Sequence, residues 1–262
     1  MLLPVSSERV SRLLQLPSLP STNAELVRLA GEQQLPAFTT LVTDDQTAGR
    51  GRRGRSWVAP AGTSLAISVL LRPSGLDGVP LDPSRFSWLS LAAGVAMTDA
   101  VATVLPDAAV GFKWPNDVQV AGKKICGVLG ELLPSGGGVV MGAGINVTMT
   151  VEQLPVPSAT SLALEGADGD DLPDRILSVY LDRLVELVGA YGKHAGDADA
   201  SGLRAAAVER CTTLGREVRA ELPGDEELRG SAVGIDELGR LQIRTGSGRV
   251  DAVAAGDIIH LR

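Results

Sequence analysis

The stretch Gly49-Arg50-Gly51-Arg52-Arg53-Gly54-Arg55-Ser56-Trp57 packs three glycines and four arginines into nine residues and closes on a tryptophan. It is too polar and too glycine-rich for the interior of a strand or helix. A β-like run, Thr39-Thr40-Leu41-Val42-Thr43, precedes it, and another, Leu65-Ala66-Ile67-Ser68-Val69-Leu70, follows it. The stretch therefore reads as a loop between two core strands. Glycines let such a loop fold its N–H groups around an anion, and arginines add charge and forked donors. Three readings are open at this point: an anion-binding loop, a solvated basic loop, and an arm for nucleic acid.

Composition narrows them. The chain has 262 residues, enough for one sizeable core and a small second domain, and its 44% apolar content argues against disorder. Net charge is −7, so the basic loop is a local exception in an acidic protein. Binding nucleic acid needs broad positive surface, so a small anionic ligand is favoured and no nucleic-acid partner is expected. Cys126 and Cys211 lack metal-ligand spacing and form no disulfide framework. No signal peptide and no continuous apolar span of about eighteen residues is legible, which leads us to expect a cytoplasmic protein with no membrane partner.

Working outward, residues 1–20 read as a short leader with an amphipathic turn or two between Val5 and Leu16. Ser21-Thr22-Asn23 precedes a helical face of Leu26, Leu29 and Ala30. Those polar residues either only cap the helix or also touch a ligand at its N-terminus. Phe86–Leu105 reads as a long, buried helix, with Trp88 in its core. Val110-Gly111-Phe112-Lys113-Trp114 is a short strand stopped by Pro115, and Asn116-Asp117 opens a hairpin that leads through Lys124 to Glu131. The strand Val139–Val147 holds Gly142 and Gly144, and glycine within a strand often marks close approach of a ligand. Pro173–Tyr191 is an amphipathic helix with Asp171 as its capping residue, and Ala198–Cys211 is a further helix. Beyond Thr212, short strands near 217–221, 228–235, 241–245 and 249–254, separated by Gly/Asp turns, suggest a small β-barrel.

The polar inventory of these loops lacks a Ser/His/Asp arrangement, and His194 and His260, the two histidines, fall on a helix end and in the terminal β region. What fits is charge stabilisation at a phosphate, with Mg²⁺ held by Asp or Asn oxygens whose identity stays open. Activation of a carboxylate by ATP suits this, because an ionised carboxylate needs no base.

The residues resemble a family. Ser21-Thr22-Asn23, the run Asp45 to Trp57, Lys113-Trp114-Pro115-Asn116-Asp117, Lys124 with Gly127, Gly142-Ala143-Gly144-Ile145-Asn146-Val147 and Ala159-Thr160-Ser161-Leu162 stand in the order and spacing of biotin protein ligases. Gly215-Arg216-Glu217-Val218 and the closing Ala255 to Arg262 are a weaker match. The resemblance implies an α+β fold: a mixed β-sheet flanked by helices, like the catalytic domain of class II aminoacyl-tRNA synthetases, over residues 21–210, then an SH3-like barrel over 211–262. It implies two steps, in which biotin and MgATP give biotinyl-5′-adenylate and a lysine of an acceptor then attacks it. The acceptor would be the biotin carboxyl carrier protein or domain of an acyl-CoA or pyruvate carboxylase, and the enzyme a monomer or weak homodimer without the N-terminal DNA-binding domain of some relatives.

Roles follow from the same resemblance. Ser21, Thr22, Asn23 and Gln46 would hydrogen-bond the ureido ring, and Gly127, Gly142 and Gly144 would leave room for the thiophane ring and tail. Arg50, Arg52 and the amides of Gly49 and Gly51 would close over carboxylate and phosphate. Lys124 would neutralise the transferring oxygens, Arg52 would retain the adenylate, and Trp57 would stack on adenine. Arg53, Lys113, Asn116, Asp117 and Asn146 would meet the nucleotide or its metal, with Asp117 also a candidate to orient or deprotonate the acceptor lysine. The nearest alternative is a lipoate or octanoyl ligase of the same fold, for which Cys126 near Lys124 is a foothold.

Overall fold

A strand whose two faces meet different partners shows the difference in its alternate residues. The computed structural model of the chain describes residues 1–222, 224, 226–254 and 256–261. Its first part runs α1 (Pro4–Ser7), β1 (Leu13–Gln15), α2 (Thr22–Glu32), β2 (Thr40–Thr43), β3 (Gly49–Arg50), β4 (Ser56–Trp57), β5 (Ser64–Leu71), α3 (Ser87–Val104), β6 (Val110–Lys113), β7 (Asp117–Val120), β8 (Lys123–Leu132), β9 (Val139–Asn146), α4 (Leu172–Lys193) and α5 (Leu203–Arg210). The second part runs β10 (Glu217–Glu221), β11 (Glu227–Ile235), β12 (Leu241–Arg244), β13 (Val250–Val253) and β14 (Asp257–His260).

Seven strands form one mixed sheet in the order β1-β2-β5-β9-β8-β7-β6, parallel only between β1 and β2. On β5, Leu65, Ile67, Val69 and Leu71 enter the main core with α3 and α4; on β9, Val139, Met141, Ala143 and Ile145 do the same. The intervening Leu70 and Val140 meet Leu26 of α2 in a small second core on the opposite face. Gly142 and Gly144 lie on that second face beyond α2's apolar side, facing Asn23 and the Trp57 indole. The core helix α3 is apolar all round, as a helix enclosed on most sides must be. With its lead-in, Pro83–Val104 is long and apolar enough to cross a membrane, but 67% of its apolar window is buried in the protein. A Cβ on Gly94 would come within 2.4 Å of the Phe112 ring, so a small residue there lets β6 lie close against α3.

The second part is a five-stranded antiparallel sheet in the order β13-β12-β11-β10-β14, the SH3-like unit expected, with a closing strand, β14, that the strand pattern alone had not marked. It shares the main core: Val218, Ile235, Leu241 and Ile258 belong to the same cluster as Trp88 and Trp114. Both tryptophans staple it. Trp88 Nε1 donates to Glu237 O at 2.9 Å and Trp114 Nε1 to Gly239 O at 3.0 Å. Both are buried, as expected for Trp88, and their polar handles explain why large indoles suit these positions.

Three expectations need correction. Residues 1–20 are not a separate leader: β1 pairs with β2 at the sheet edge, and Asp174 of α4 accepts bonds from Val5 N and from Ser6 N and Oγ. Asp171 stands at the N-cap of α4 but its side chain makes no capping bond. The helix expected over 198–211 begins only at Leu203, after Gly202 in the left-handed region. Of the closing motif, Ala255 and Arg262 lie outside the described residues.

Replacing Trp114 by Phe keeps most of the buried ring but leaves the Gly239 carbonyl without its donor. We expect a loss of about 1–3 kcal/mol in denaturant unfolding, with both parts still melting in one transition.

Candidate active site

The site is built where α2 begins over the glycine face of β9. Ser21 has extended backbone at the N-cap, and its Oγ accepts from Ala24 N at 3.4 Å, so the capping reading is correct. Ser21, Thr22 and Asn23 also line a cavity, so the ligand reading is not displaced by it. Gln46 Oε1 accepts from Thr22 N (2.8 Å) and Thr22 Oγ1 (3.1 Å), which sets Gln46 across from the helix start. Asn23 is held on three sides. Its Nδ2 donates to Leu129 O and Glu131 Oε1 at 3.0 and 3.1 Å, and its Oδ1 accepts from Ser68 Oγ at 2.6 Å.

This cavity is small, about 40 Å³, room for a few waters at most. Two of the chain's own side chains account for that. A Cβ on Gly142 would meet Asn23 Oδ1 at 2.4 Å, and one on Gly144 would meet the Trp57 indole at 2.7 Å. The space expected for a thiophane ring is thus occupied here by Asn23 and Trp57. Trp57 Nε1 is buried and has no hydrogen-bond partner among the described residues. Gly49 is required by the turn itself, because its Cβ would fall 2.5 Å from Trp57 O.

A second cavity, about 380 Å³, adjoins the first and shares Arg50, Trp57, Gly127 and Leu129 with it. Gly51, Arg52 and Arg55 come to it from the loop, Lys113, Asn116 and Asp117 from the turn between β6 and β7, and Lys124 from β8. Lys124 owes its place to a bulge. Val118 pairs with Cys126 but Gln119 pairs with Lys124, which leaves Ile125 extra on β8. Strict alternation would put Lys124 on the core face with Cys126; the bulge turns Ile125 inward and brings Lys124 beside Gly127. There Lys124 Nζ lies 2.7 Å from Asp117 Oδ1. Arg52 Nη1 donates to Asn116 Oδ1 at 2.8 Å.

Crowding of cations in a half-enclosed space shapes their acidity. Burial pulls Arg52 below the usual guanidinium range, against the attraction of Asp257 and Asp117. Burial likewise lowers Lys113, with Asp117 opposing the shift and Lys124 adding to it. An anion arriving in this cavity would therefore meet cations short of counter-charge.

Two expected residues are not brought in. Arg53 does not line either cavity; its Nη1 reaches Asp257 Oδ2 at 3.5 Å on the outside of the turn. Asn146 is buried at the end of β9, lines neither cavity, and its Nδ2 donates to Thr160 O at 2.8 Å, a bond that anchors the following loop. Conversely, sequence reading missed Ser68, Glu131, and the wall supplied by the C-terminal sheet, Glu221 and Asp257 to Ile259. Glu131 pairs with Arg50 at 3.5 Å and so ties the Asn23 network to the loop. No local motif announces these residues, because their partners are distant in sequence.

For a divalent cation, the described residues hold no cluster of three His, Cys, Asp or Glu ligands. Asp117, Asn116, Glu221 and Asp257 bring side-chain oxygens to the larger cavity, with Asp257 already engaged by Arg55, and that sparse set fits Mg²⁺ carried chiefly by phosphate oxygens.

The chain is similar to known proteins over most of its length. The Biotin/lipoate A/B protein ligase family profile matches residues 16–147, half of the chain, and the Biotin protein ligase C terminal domain profile matches residues 213–261. A biotin--[acetyl-CoA-carboxylase] ligase of Mycobacterium tuberculosis is 38% identical over 92% of this chain and 86% of its own length. A bifunctional ligase/repressor of Escherichia coli is 33% identical over 86% of this chain and 67% of its own. The solved biotin protein ligase from Aquifex aeolicus in complex with biotin and ATP superposes with a TM-score of 0.71, covering 97% of this chain and 100% of that one at 27% identity.

Cys126 gives the site no nucleophile. It is fully buried, and that burial pushes its thiol up to about 12, despite nearby Lys124. Cys211 is also buried and also raised, chiefly by burial. We expect a disulfide reagent at about pH 8 to find neither thiol reactive in the native chain and both after denaturation, because only a thiolate attacks.

Proposed function

The chain belongs to the biotin protein ligase family, and on that premise we propose how its residues divide the reaction. It is a ligase that activates biotin with ATP and passes the biotinyl group to a protein lysine. The Cys126 foothold for lipoate or octanoyl chemistry is gone, since its thiol stays protonated and walled off from the cavity. One observation carries the residue assignment: Lys124 lines the larger cavity next to Gly127, which both cavities share, and 2.7 Å from Asp117.

In the first step a biotin carboxylate oxygen attacks the α-phosphorus, the bond to the bridging oxygen breaks, and pyrophosphate leaves with the electron pair. Negative charge passes across the non-bridging oxygens at the junction of the cavities. Lys124 and Arg52, which line the larger cavity, would stabilise it. Thr22, Gln46 and Ser21 would hold the ureido end in the small cavity, and Asn23, whose own bonds are all made within the chain, would set the wall beside it. Mg²⁺ would supply further charge neutralisation at the phosphates, with Asp117 and Asn116 as its protein oxygens.

In the second step a neutral lysine amine attacks the acyl carbon, the C–O bond to AMP breaks, and AMP leaves. The acceptor lysine is protonated at neutral pH, so the ammonium must first give up a proton. Asp117 is our candidate to orient it or take that proton; with Lys124 at the acyl carbon, the Asp117 carboxylate paired to it would lie close by. The acceptor we propose is the biotin carboxyl carrier domain of a carboxylase; acetyl-CoA-carboxylase is the substrate printed in the names of two relatives. Dependence on ATP suits a cytoplasmic setting.

Incubation of a carrier domain with this chain, biotin and MgATP should add one biotin to one lysine by intact-mass spectrometry. Lys124→Ala should slow pyrophosphate release by about 10²–10³-fold while leaving the melting curve in place. A carrier that gains lipoyl or octanoyl groups instead, or an alanine variant at parental rate, would overturn the assignment.

Biotin cannot enter the small cavity while Trp57 lies on Gly144, so we expect Trp57 and its loop to move on binding. Of the three tryptophans, Trp88 and Trp114 are stapled in the core, so Trp57 should dominate the response. Biotin should shift the indole emission of the native chain, and Trp57→Phe should abolish most of the shift.

A further inference from the structure

The arginine loop closes against the C-terminal sheet through one carboxylate. Arg55 Nη2 donates to both oxygens of Asp257, at 2.7 and 2.8 Å. Arg53 Nη1 lies 3.5 Å from the same carboxylate and 3.5 Å from Glu221 O, and Asp257 pairs with Glu221 across β14 and β10. Arg55 also braces the turn from within, its Nε donating to Arg52 O at 3.3 Å. Its Nη1 has no protein partner among the described residues, and Arg55, Arg52 and Asp257 all line the larger cavity.

Three glycines and four mutually repelling arginines make this loop costly to hold in one shape. A fixed carboxylate from a strand on the other sheet answers both difficulties. It offsets the repulsion among Arg52, Arg53 and Arg55, and it is anchored in a ladder that the loop itself does not supply. The hold uses one edge of the Arg55 fork and leaves the other for a phosphate. An exposed single ion pair contributes little, but a two-oxygen contact with a second arginine alongside is a network.

We propose that Asp257 is a positioning residue for the ligase reaction: the C-terminal sheet uses it to latch the Arg52–Arg55 turn over the phosphate cavity, and so sets how tightly ATP and the adenylate are held. Asp257 touches neither reacting atom and acts through Arg55. The proposal rests on the ligase reading given above, and it also explains why a separate β unit belongs to the enzyme: it supplies an anchor about two hundred residues from the loop in sequence, a separation of 202.

The test compares the full chain, Asp257→Asn, Arg55→Gln and the double variant. Steady-state pyrophosphate release should show the KM for ATP raised roughly three- to tenfold in Asp257→Asn, with kcat within about twofold. Adenylate should escape sooner, read as labelling of a bystander protein. The double variant should be no worse than the worse single one, because both remove the same contact. A second arm needs no activity: trypsin, without ligands, should cut after Arg52, Arg53 or Arg55 faster in Asp257→Asn than in the native chain, at unchanged melting temperature. An unchanged KM and an unchanged cleavage rate would overturn the latch, as would a fall in kcat at constant KM or additive effects in the double variant. If the native chain fails to release pyrophosphate with biotin and ATP, the ligase reading falls, while the trypsin arm still decides whether Asp257 holds the turn.

Discussion

The division of β5, β8 and β9 into two unlike faces is the constraint on which the rest depends. One face must be continuous aliphatic surface, because α3 and α4 pack on it. The other must be bare enough to admit something besides a helix. Burying Leu65, Ile67, Val69 and Leu71 on the first face stabilises the sheet by about 1.5–3 kcal/mol per side chain. That surplus allows β9 to carry Gly142 and Gly144, which weaken a strand, on the second face. Binding surface and core are therefore two sides of the same strands, and neither can slip by one residue without exchanging places with the other.

Charge is the second organising element. Arg50, Arg52, Arg55, Lys113 and Lys124 converge on one cavity, and no arrangement of five cations is stable there by itself. Four of them are answered by residues distant in sequence or from a neighbouring strand. Glu131 serves Arg50, Asn116 serves Arg52, Asp257 serves Arg55 and Asp117 serves Lys124. These partners fix the cations around the cavity, while burial pulls Arg52 and Lys113 below their ordinary range. The site is preorganised by contacts that an incoming phosphate can share.

The two sheets cooperate for the same reason. Trp88 and Trp114 rise from the catalytic half and end their indoles on carbonyls of the turn between β11 and β12. Each burial is apolar at one end and hydrogen-bonded at the other, which fixes orientation as well as distance. A rigid mount is what allows Asp257 and Ile258, at the start of β14, to serve as part of the cavity wall.

Local pattern alone determined a good deal. The loop 49–57 had to be a loop, since nothing so charged and glycine-rich can be an element interior. The long helix 87–104 and the strands 64–71 and 139–146 were legible from apolar runs and their breakers, and the order of short motifs, from Ser21-Thr22-Asn23 to Asn146, carried the family. What only the tertiary structure decided is where side chains find partners. The Ile125 bulge that aims Lys124 into the site, the Trp57 indole resting on Gly144, the diversion of Asn146 to Thr160 and the reach of Asp257 to Arg55 leave no periodic trace. The physical reason is range: hydrophobic alternation and turn chemistry act between residues a few positions apart, whereas hydrogen bonds and ion pairs are chosen by distance in space, which the chain acquires only on folding.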